Sequence, residues 1–373
     1  MVKSFSLVIL VILFSFLGNA QVQLLDSLFQ PQKIEALMEK VADWQLKEWA
    51  ISGVKFSKTN WTNAACYTGL QVLSTISKND SYEHILLKFG NDVNWNVGAR
   101  HFHADDYCVG QTYSLLYMKY KDEKMITQFK LVADTIVLQP HTESLEWVPG
   151  IVDREWAWCD ALFMAPTALS YLSTATGDKK YLDIATKLWW KTTDYLYDSS
   201  AHLHSRDGSY LNKKEKNGEK VFWSRGNGWV LAGLVRVLDN MPKHYKDRKR
   251  FISLYKDMSA KIVSLQQPDG TWHASLLDAA SYPIKETSGT GFYAYALMWG
   301  INHNILDKKI YLPVVQKSWK ALVDCVQPNG MLGYVQPIGA APDKVDQNST
   351  AVYGVGAFLL AGTELYRYLN KGK

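Results

Sequence analysis

The chain of 373 residues has little that would place it in a membrane or on nucleic acid. Its apolar N-terminal stretch, residues 7–17, is 11 residues long, against the roughly 20 needed to span a bilayer. Lys3 precedes that stretch and Gly18-Asn19-Ala20 follows it, the pattern of a secretory signal peptide over 1–20. An exported chain, periplasmic or secreted, is therefore expected, without a membrane span and with its mature part at 21–373. No cysteine follows the cleavage point, so lipid attachment there is not expected. Only four cysteines occur (Cys66, Cys108, Cys159, Cys325), and none has CxxC or other metal spacing. Export permits disulfides among them, but three sit near the starts of expected buried helices, where a small thiol packs well. Buried free thiols are the expectation. No linker rich in Pro, Gly or Ser breaks the chain, which predicts one domain. A concentrated basic stripe is also missing: net charge is +5, with lysines at 213–216 and a basic run at 243–250 on solvated faces. Nucleic acid is excluded as a partner on that ground. A mild positive balance suits a small anionic substrate.

What the chain does contain is a six-fold recurrence. Asn60-Trp61-Thr62, His103-Ala104-Asp105-Asp106, Trp158-Cys159-Asp160, Trp223-Ser224-Arg225-Gly226-Asn227-Gly228-Trp229, Glu286-Thr287-Ser288-Gly289-Thr290 and Asn348-Ser349-Thr350 each open a stretch rich in Ala, Gly, Leu and Tyr. Trp61, Asp106, Asp160, Arg225, Ser288 and Ser349 stand 45, 54, 65, 63 and 61 residues apart, periods that fit a pair of helices per repeat. The opened stretches, such as 161–172 and 351–365, are apolar nearly all round and predict helices buried on every side. Between them lie amphipathic stretches at 31–50, 82–93, 125–137, 180–195, 248–266 and 311–325. Six buried helices alternating with six amphipathic ones predict an all-α (α/α)6 barrel. Gln267-Pro268-Asp269-Gly270 and Gln327-Pro328-Asn329-Gly330 read as equivalent loops of successive repeats, with 202–208 in the same place one repeat earlier and short hairpins expected there.

The helix starts carry the chemistry. Asp160, framed by Trp156 and Trp158, is a carboxylate entering a buried helix. Burial and a second carboxylate raise such a pKa and make a general acid; a plain helix cap is the alternative. The second carboxylate is expected from Asp105 or Asp106, which cannot both face the pocket alike. His101 and His103 before them lack a third element of metal spacing, so no metal and no cofactor is expected. Arg225 offers a guanidinium fork for a carboxylate at a helix start that favours anions. Asn227, Trp223, Trp229 and Trp61 are candidate lining. Thr287, Ser288 and Thr290 are either caps or donors to sugar hydroxyls, and His204 and His273 are further candidates. Three N-glycosylation patterns, at Asn60, Asn79 and Asn348, are expected to stay unmodified, since two overlap pocket elements.

Trp158-Cys159-Asp160-Ala161-Leu162-Phe163-Met164, Trp223-Ser224-Arg225-Gly226-Asn227-Gly228-Trp229 and the Glu286 to Leu297 run together resemble glycoside hydrolase family 105, the unsaturated rhamnogalacturonyl and glucuronyl hydrolases. The likeness extends from about residue 33 to 369. It implies an (α/α)6 barrel that removes a 4,5-unsaturated uronic acid from the non-reducing end of lyase-generated oligosaccharides. It also implies that Asp160 protonates C4 of the vinyl ether, that Asp105-Asp106 assists, and that His204 belongs to the site. Arg206 stands where the family often has Trp, which bears on the subsite lining. An inverting glycosidase on saturated uronides, or a non-catalytic carbohydrate-binding barrel, are the competing readings. Rhamnogalacturonan and ulvan would both supply suitable ends.

Overall fold

A computed structural model describes residues 28–371, so the expected signal segment lies outside the described residues. Among the described residues, twelve α-helices follow one another in strict alternation: α1 (Pro31–Ser52), α2 (Trp61–Leu73), α3 (Ser81–Asp92), α4 (Gly110–Tyr120), α5 (Lys124–Leu138), α6 (Ala161–Thr176), α7 (Lys179–Leu196), α8 (Ser224–Asn240), α9 (Arg248–Ser264), α10 (Thr287–Asn302), α11 (Lys308–Val323) and α12 (Val352–Asn370). The even-numbered helices pack side by side, α2 on α4, α4 on α6, and so on to α12, which returns against α2. They are the inner ring of an (α/α)6 barrel, and the odd-numbered helices form the outer one. Burial follows the patterning: α10 is buried along its whole length, whereas α3 buries only Tyr82, Glu83, Leu86, Phe89 and Gly90. A helix with no polar face has no stable place except inside.

Small residues set how tightly the inner ring closes. A Cβ on Gly356 of α12 would lie 2.3 Å from the Ala65 carbonyl oxygen of α2, so only glycine lets these two helices meet. The loops at 267–271 and 327–331 repeat one hydrogen-bond pattern. Gln267 N donates to Thr271 O at 2.9 Å and Gln327 N to Met331 O at 2.8 Å. Among the described residues the only paired strands form a two-residue hairpin, Tyr197–Asp198 with Leu203–His204. All four cysteines are free and buried, as expected.

One inner helix departs from the pattern. The second signature opens as a 3-10 turn, Ala104–Tyr107, and α4 begins only at Gly110. Adjacent residues in a 3-10 turn project about 120° apart, which sends Asp105 and Asp106 in different directions.

Candidate active site

A cavity of about 180 Å³ sits at the N-terminal end of the inner ring, with room for one sugar unit. Trp61, Asp105, Trp158, Asp160, Met164, Arg206, Trp223, Arg225, Trp229, Ile338 and Gly339 line it. Four inner-helix starts therefore contribute, together with the loop ahead of α12. Larger hollows occur: one of about 460 Å³ between α1 and the start of α12 holds no guanidinium group, and one of about 370 Å³, lined by Glu83, Asp239, Glu364, Arg236 and Arg367, lies at the opposite, C-terminal end of the inner helices and has no tryptophan wall.

Asp160 occupies the residue before α6 and does not cap it: its side chain makes no capping bond. Oδ1 is buried without a partner, and Oδ2 lies 3.7 Å from Arg206 Nε. Burial pushes this carboxyl up to about 6, against the opposing pull of Arg206 and Arg225. Across the cavity, burial and then the charge of Asp160 push Asp105 up to about 7. Burial raises both carboxyl groups and the charge of Asp160 raises Asp105 further, so the pair holds a proton at a pH where a free carboxylate has lost it. Asp106 does not join them. It accepts from Arg100 N at 2.7 Å and from the Arg100 guanidinium at 2.5 Å, facing away from the cavity. The pair expected from sequence thus divides into one carboxyl at the cavity and one in a structural ion pair. His103, in the same turn, accepts from Asp105 N through Nδ1 at 3.3 Å.

The aromatic walls are held by each other. Trp61 stacks on Tyr353 with ring centres 5.4 Å apart and meets Trp229 edge-on at 6.0 Å. Trp223 Nε1 donates to Gln336 Oε1 at 3.0 Å. Arg225 lies between the rings of Trp223 and Tyr353, at 4.5 and 5.0 Å. Its fork is not free, however: Nη1 donates to Gln336 O at 2.6 Å and Nη2 to Pro337 O at 3.0 Å. The guanidinium expected to clamp a ligand instead fastens the loop that brings Ile338 and Gly339 to the cavity. Its positive charge still faces Asp160.

Comparison with known proteins decides the family. The sequence profile of Glycosyl Hydrolase Family 88 matches residues 37–369, nearly the whole described chain. The chain belongs to this family. An unsaturated 3S-rhamnoglycuronyl hydrolase from Formosa agariphila is 38% identical over 349 residues, covering 90% of this chain and 91% of that protein. A solved family-88 glycosyl hydrolase from Bacteroides vulgatus is 30% identical with a TM-score of 0.81, covering 91% of this chain and 99% of the other. The barrel is also shared with a possible member of family 105 from Salmonella enterica, at 17% identity and a TM-score of 0.74, over 91% and 95% of the two chains.

The family-88 hydrolase keeps several expected site residues away from its cavity. His204 is fully buried, its backbone N–H bonded to Asn227 Oδ1 at 2.8 Å, and burial pushes its imidazole down to about 3. Asn227 returns a bond to His204 O at 3.0 Å, so its amide ties the 203–204 strand to α8. His273 is held by Asp269 and Ala279 O, both at 3.3 Å. Thr287 Oγ1 donates to Gly333 O, Ser288 Oγ to Glu286 Oε1, and Thr290 Oγ1 to Glu286 O. These hydroxyls serve the helix start, because a buried hydroxyl must find a partner. Of the two readings open in the sequence, the cap falls to Glu286, which accepts from Ser288 N and Gly289 N, and the three hydroxyls are taken up by Glu286 and Gly333. Met164, Ile338 and Gly339 were not expected at the cavity. Met164 follows Asp160 by one helical turn, a signal present in the sequence; the 338–339 loop carries no comparable signal.

Proposed function

We propose that this hydrolase removes a 4,5-unsaturated uronic acid from the non-reducing end of oligosaccharides left by a polysaccharide lyase, rhamnose being the neighbouring sugar. Rhamnogalacturonan and ulvan are the source polysaccharides that fit. The observation that carries the reading is the pair Asp160 and Asp105 at one small aromatic cavity, both raised towards neutrality. Hydration of an enol ether needs one neutral acid, a cationic field for the substrate carboxylate, and walls that exclude bulk water.

The steps balance. Asp160 gives its proton to C4 of the C4=C5 double bond, and water adds its oxygen to C5 as it returns a proton to the carboxylate pair. The hemiketal at C5 then opens to a ketone, which leaves a hemiacetal at C1. That hemiacetal collapses to an aldehyde and releases the remaining oligosaccharide as an alcohol. Asp105 steadies the proton on the pair, and the indoles of Trp61, Trp158 and Trp229 border the reacting ring. No metal or cofactor is needed for these steps. We further infer that the chain is exported, on the signal pattern at 1–20.

The test offers unsaturated and saturated uronyl-rhamnose disaccharides side by side. Loss of ultraviolet absorbance from the unsaturated substrate alone is expected. Release of rhamnose from the saturated compound at a comparable rate would establish an ordinary inverting glycosidase instead.

A further inference from the structure

Arg206 and Arg225 both border the cavity, and their guanidinium groups are in opposite situations. Arg225 is 1% exposed, sandwiched between rings, with both terminal nitrogens donating to main-chain carbonyls. Its position is fixed. Arg206 keeps 17% of its side chain exposed and lies over the ring of Trp147 at 4.8 Å. Nη1 donates to Asp207 Oδ2 at 2.6 Å, while Nε is buried without a partner. That Nε faces Asp160 Oδ2 at 3.7 Å, too far for a hydrogen bond, and Asp160 Oδ1 has no partner either. The acid and the cation thus meet across a gap that neither closes. The backbone of Arg206 is anchored, since Arg206 O accepts from Cys159 N at 2.8 Å. Beyond that anchor the guanidinium is held by Asp207 and the Trp147 ring, and Nε is the nitrogen left to take a ligand.

We propose that Arg206, not Arg225, receives the carboxylate of the unsaturated uronate, and that this contact draws it off Asp160, so that the acid gains its proton as substrate is seated. The inference rests on the unsaturated-uronide reading above. The physical reason is charge balance. Asp160 is faced by Arg206, Arg225, Asp207 and Asp105, together with the buried thiol of Cys159. Arg206 leads the cations that favour its charged form. A substrate anion that neutralises Arg206 removes this restraint, and Asp160 takes one proton from solvent. In the empty enzyme Arg206 favours the charged form of Asp160, and binding supplies the condition for chemistry.

The experiment measures pH profiles of kcat and kcat/KM for the wild type, R206Q and R206K, on a 4,5-unsaturated uronyl-rhamnose disaccharide and on its methyl ester. R206Q is expected to raise KM for the acid at least about tenfold and for the uncharged ester less than about threefold, as loss of a charge pair does. R206K recovers part of the KM for the acid. In the wild type the alkaline limb of kcat lies about one pH unit above that of kcat/KM, because the first reports the complex and the second the free enzyme. In R206Q that gap closes. Equal losses on acid and ester, with wild-type melting of R206Q, would overturn the proposal, as would coincident limbs in the wild type. If R206Q does not fold, R206K alone decides by the acid-to-ester ratio of its KM change: a ratio of one sinks the idea. Wild-type enzyme inert on both unsaturated compounds but active on the saturated one would instead remove the underlying reading.

Discussion

Two acidic residues hold the same place at the starts of two inner helices, and they behave in opposite ways. Glu286 precedes α10 and is fully satisfied: it accepts from Ser288 N at 2.9 Å, Gly289 N at 2.7 Å, Ser288 Oγ at 2.5 Å and Gln336 N at 3.2 Å. Asp160 precedes α6, accepts no capping bond, and leaves one oxygen buried and alone. A buried carboxylate without partners costs several kcal/mol unless it is protonated or supplied with a ligand. The barrel tolerates that cost at one start and not at the other. The teaching is that the fold places acids by repetition, and local satisfaction separates structure from chemistry.

Substitutions can break that contrast. The largest effect is expected from Asp160→Asn, which removes the proton donor while keeping shape. Turnover of the unsaturated disaccharide should fall by about 1,000-fold or more, with the melting temperature unchanged or higher. Turnover near wild type would refute the role. Asp105→Asn comes next, with a loss of about 10- to 100-fold and an alkaline limb of kcat moved to lower pH, because the member of the pair that holds its proton to the higher pH, raised by burial and by the charge of Asp160, is gone. An unmoved limb would show that the two carboxyl groups do not share a proton. Glu286→Ala reverses the pattern. It leaves two buried N–H groups of α10 without their acceptor and should lower stability by about 3 kcal/mol, read by urea denaturation, while kcat per folded molecule falls far less than in Asp160→Asn.

The smallest effect sharpens the comparison through pH. Asp160 and Asp105 have folded pKa values of about 6 and about 7, above those of an unfolded chain near 4. Raised values of this kind add stability that is fully present below about pH 4 and disappears as pH rises through 6 to 7. Unfolding free energy should therefore decline between about pH 4 and 7, by an amount on the order of 3 kcal/mol per group. Asp160→Asn should flatten its share of the slope. A slope of the same size in that variant would assign the decline to other groups.

The barrel was readable because its inner helices are apolar on every side and its outer helices on one, a difference that 3.6-residue spacing exposes directly. That Asp160 and the tryptophans at 61, 223 and 229 would reach one cavity was readable because they stand at or near helix starts. Other parts were hidden for physical reasons. Thr287, Ser288 and Thr290 look alike whether they bind a sugar or finish a helix, since both tasks need short hydroxyl side chains. Asp105 and Asp106 could not be told apart until the 3-10 turn set their directions. Arg225 carries the right group for an anion, yet which atoms it holds depends on residues 336–337, more than a hundred positions away. The loop at Ile338 and Gly339 has no motif of its own.

The stacking of Trp61 on Tyr353 joins the first repeat to the last, and the Gly356 contact with Ala65 seals the same junction. A ribosome releasing this chain would expose five repeats before the sixth arrives, so the reaction chamber has no complete wall until that repeat is made. Contacts so remote in sequence form late and slowly. A hydrolase built this way has its cavity whole only after the circle has been completed.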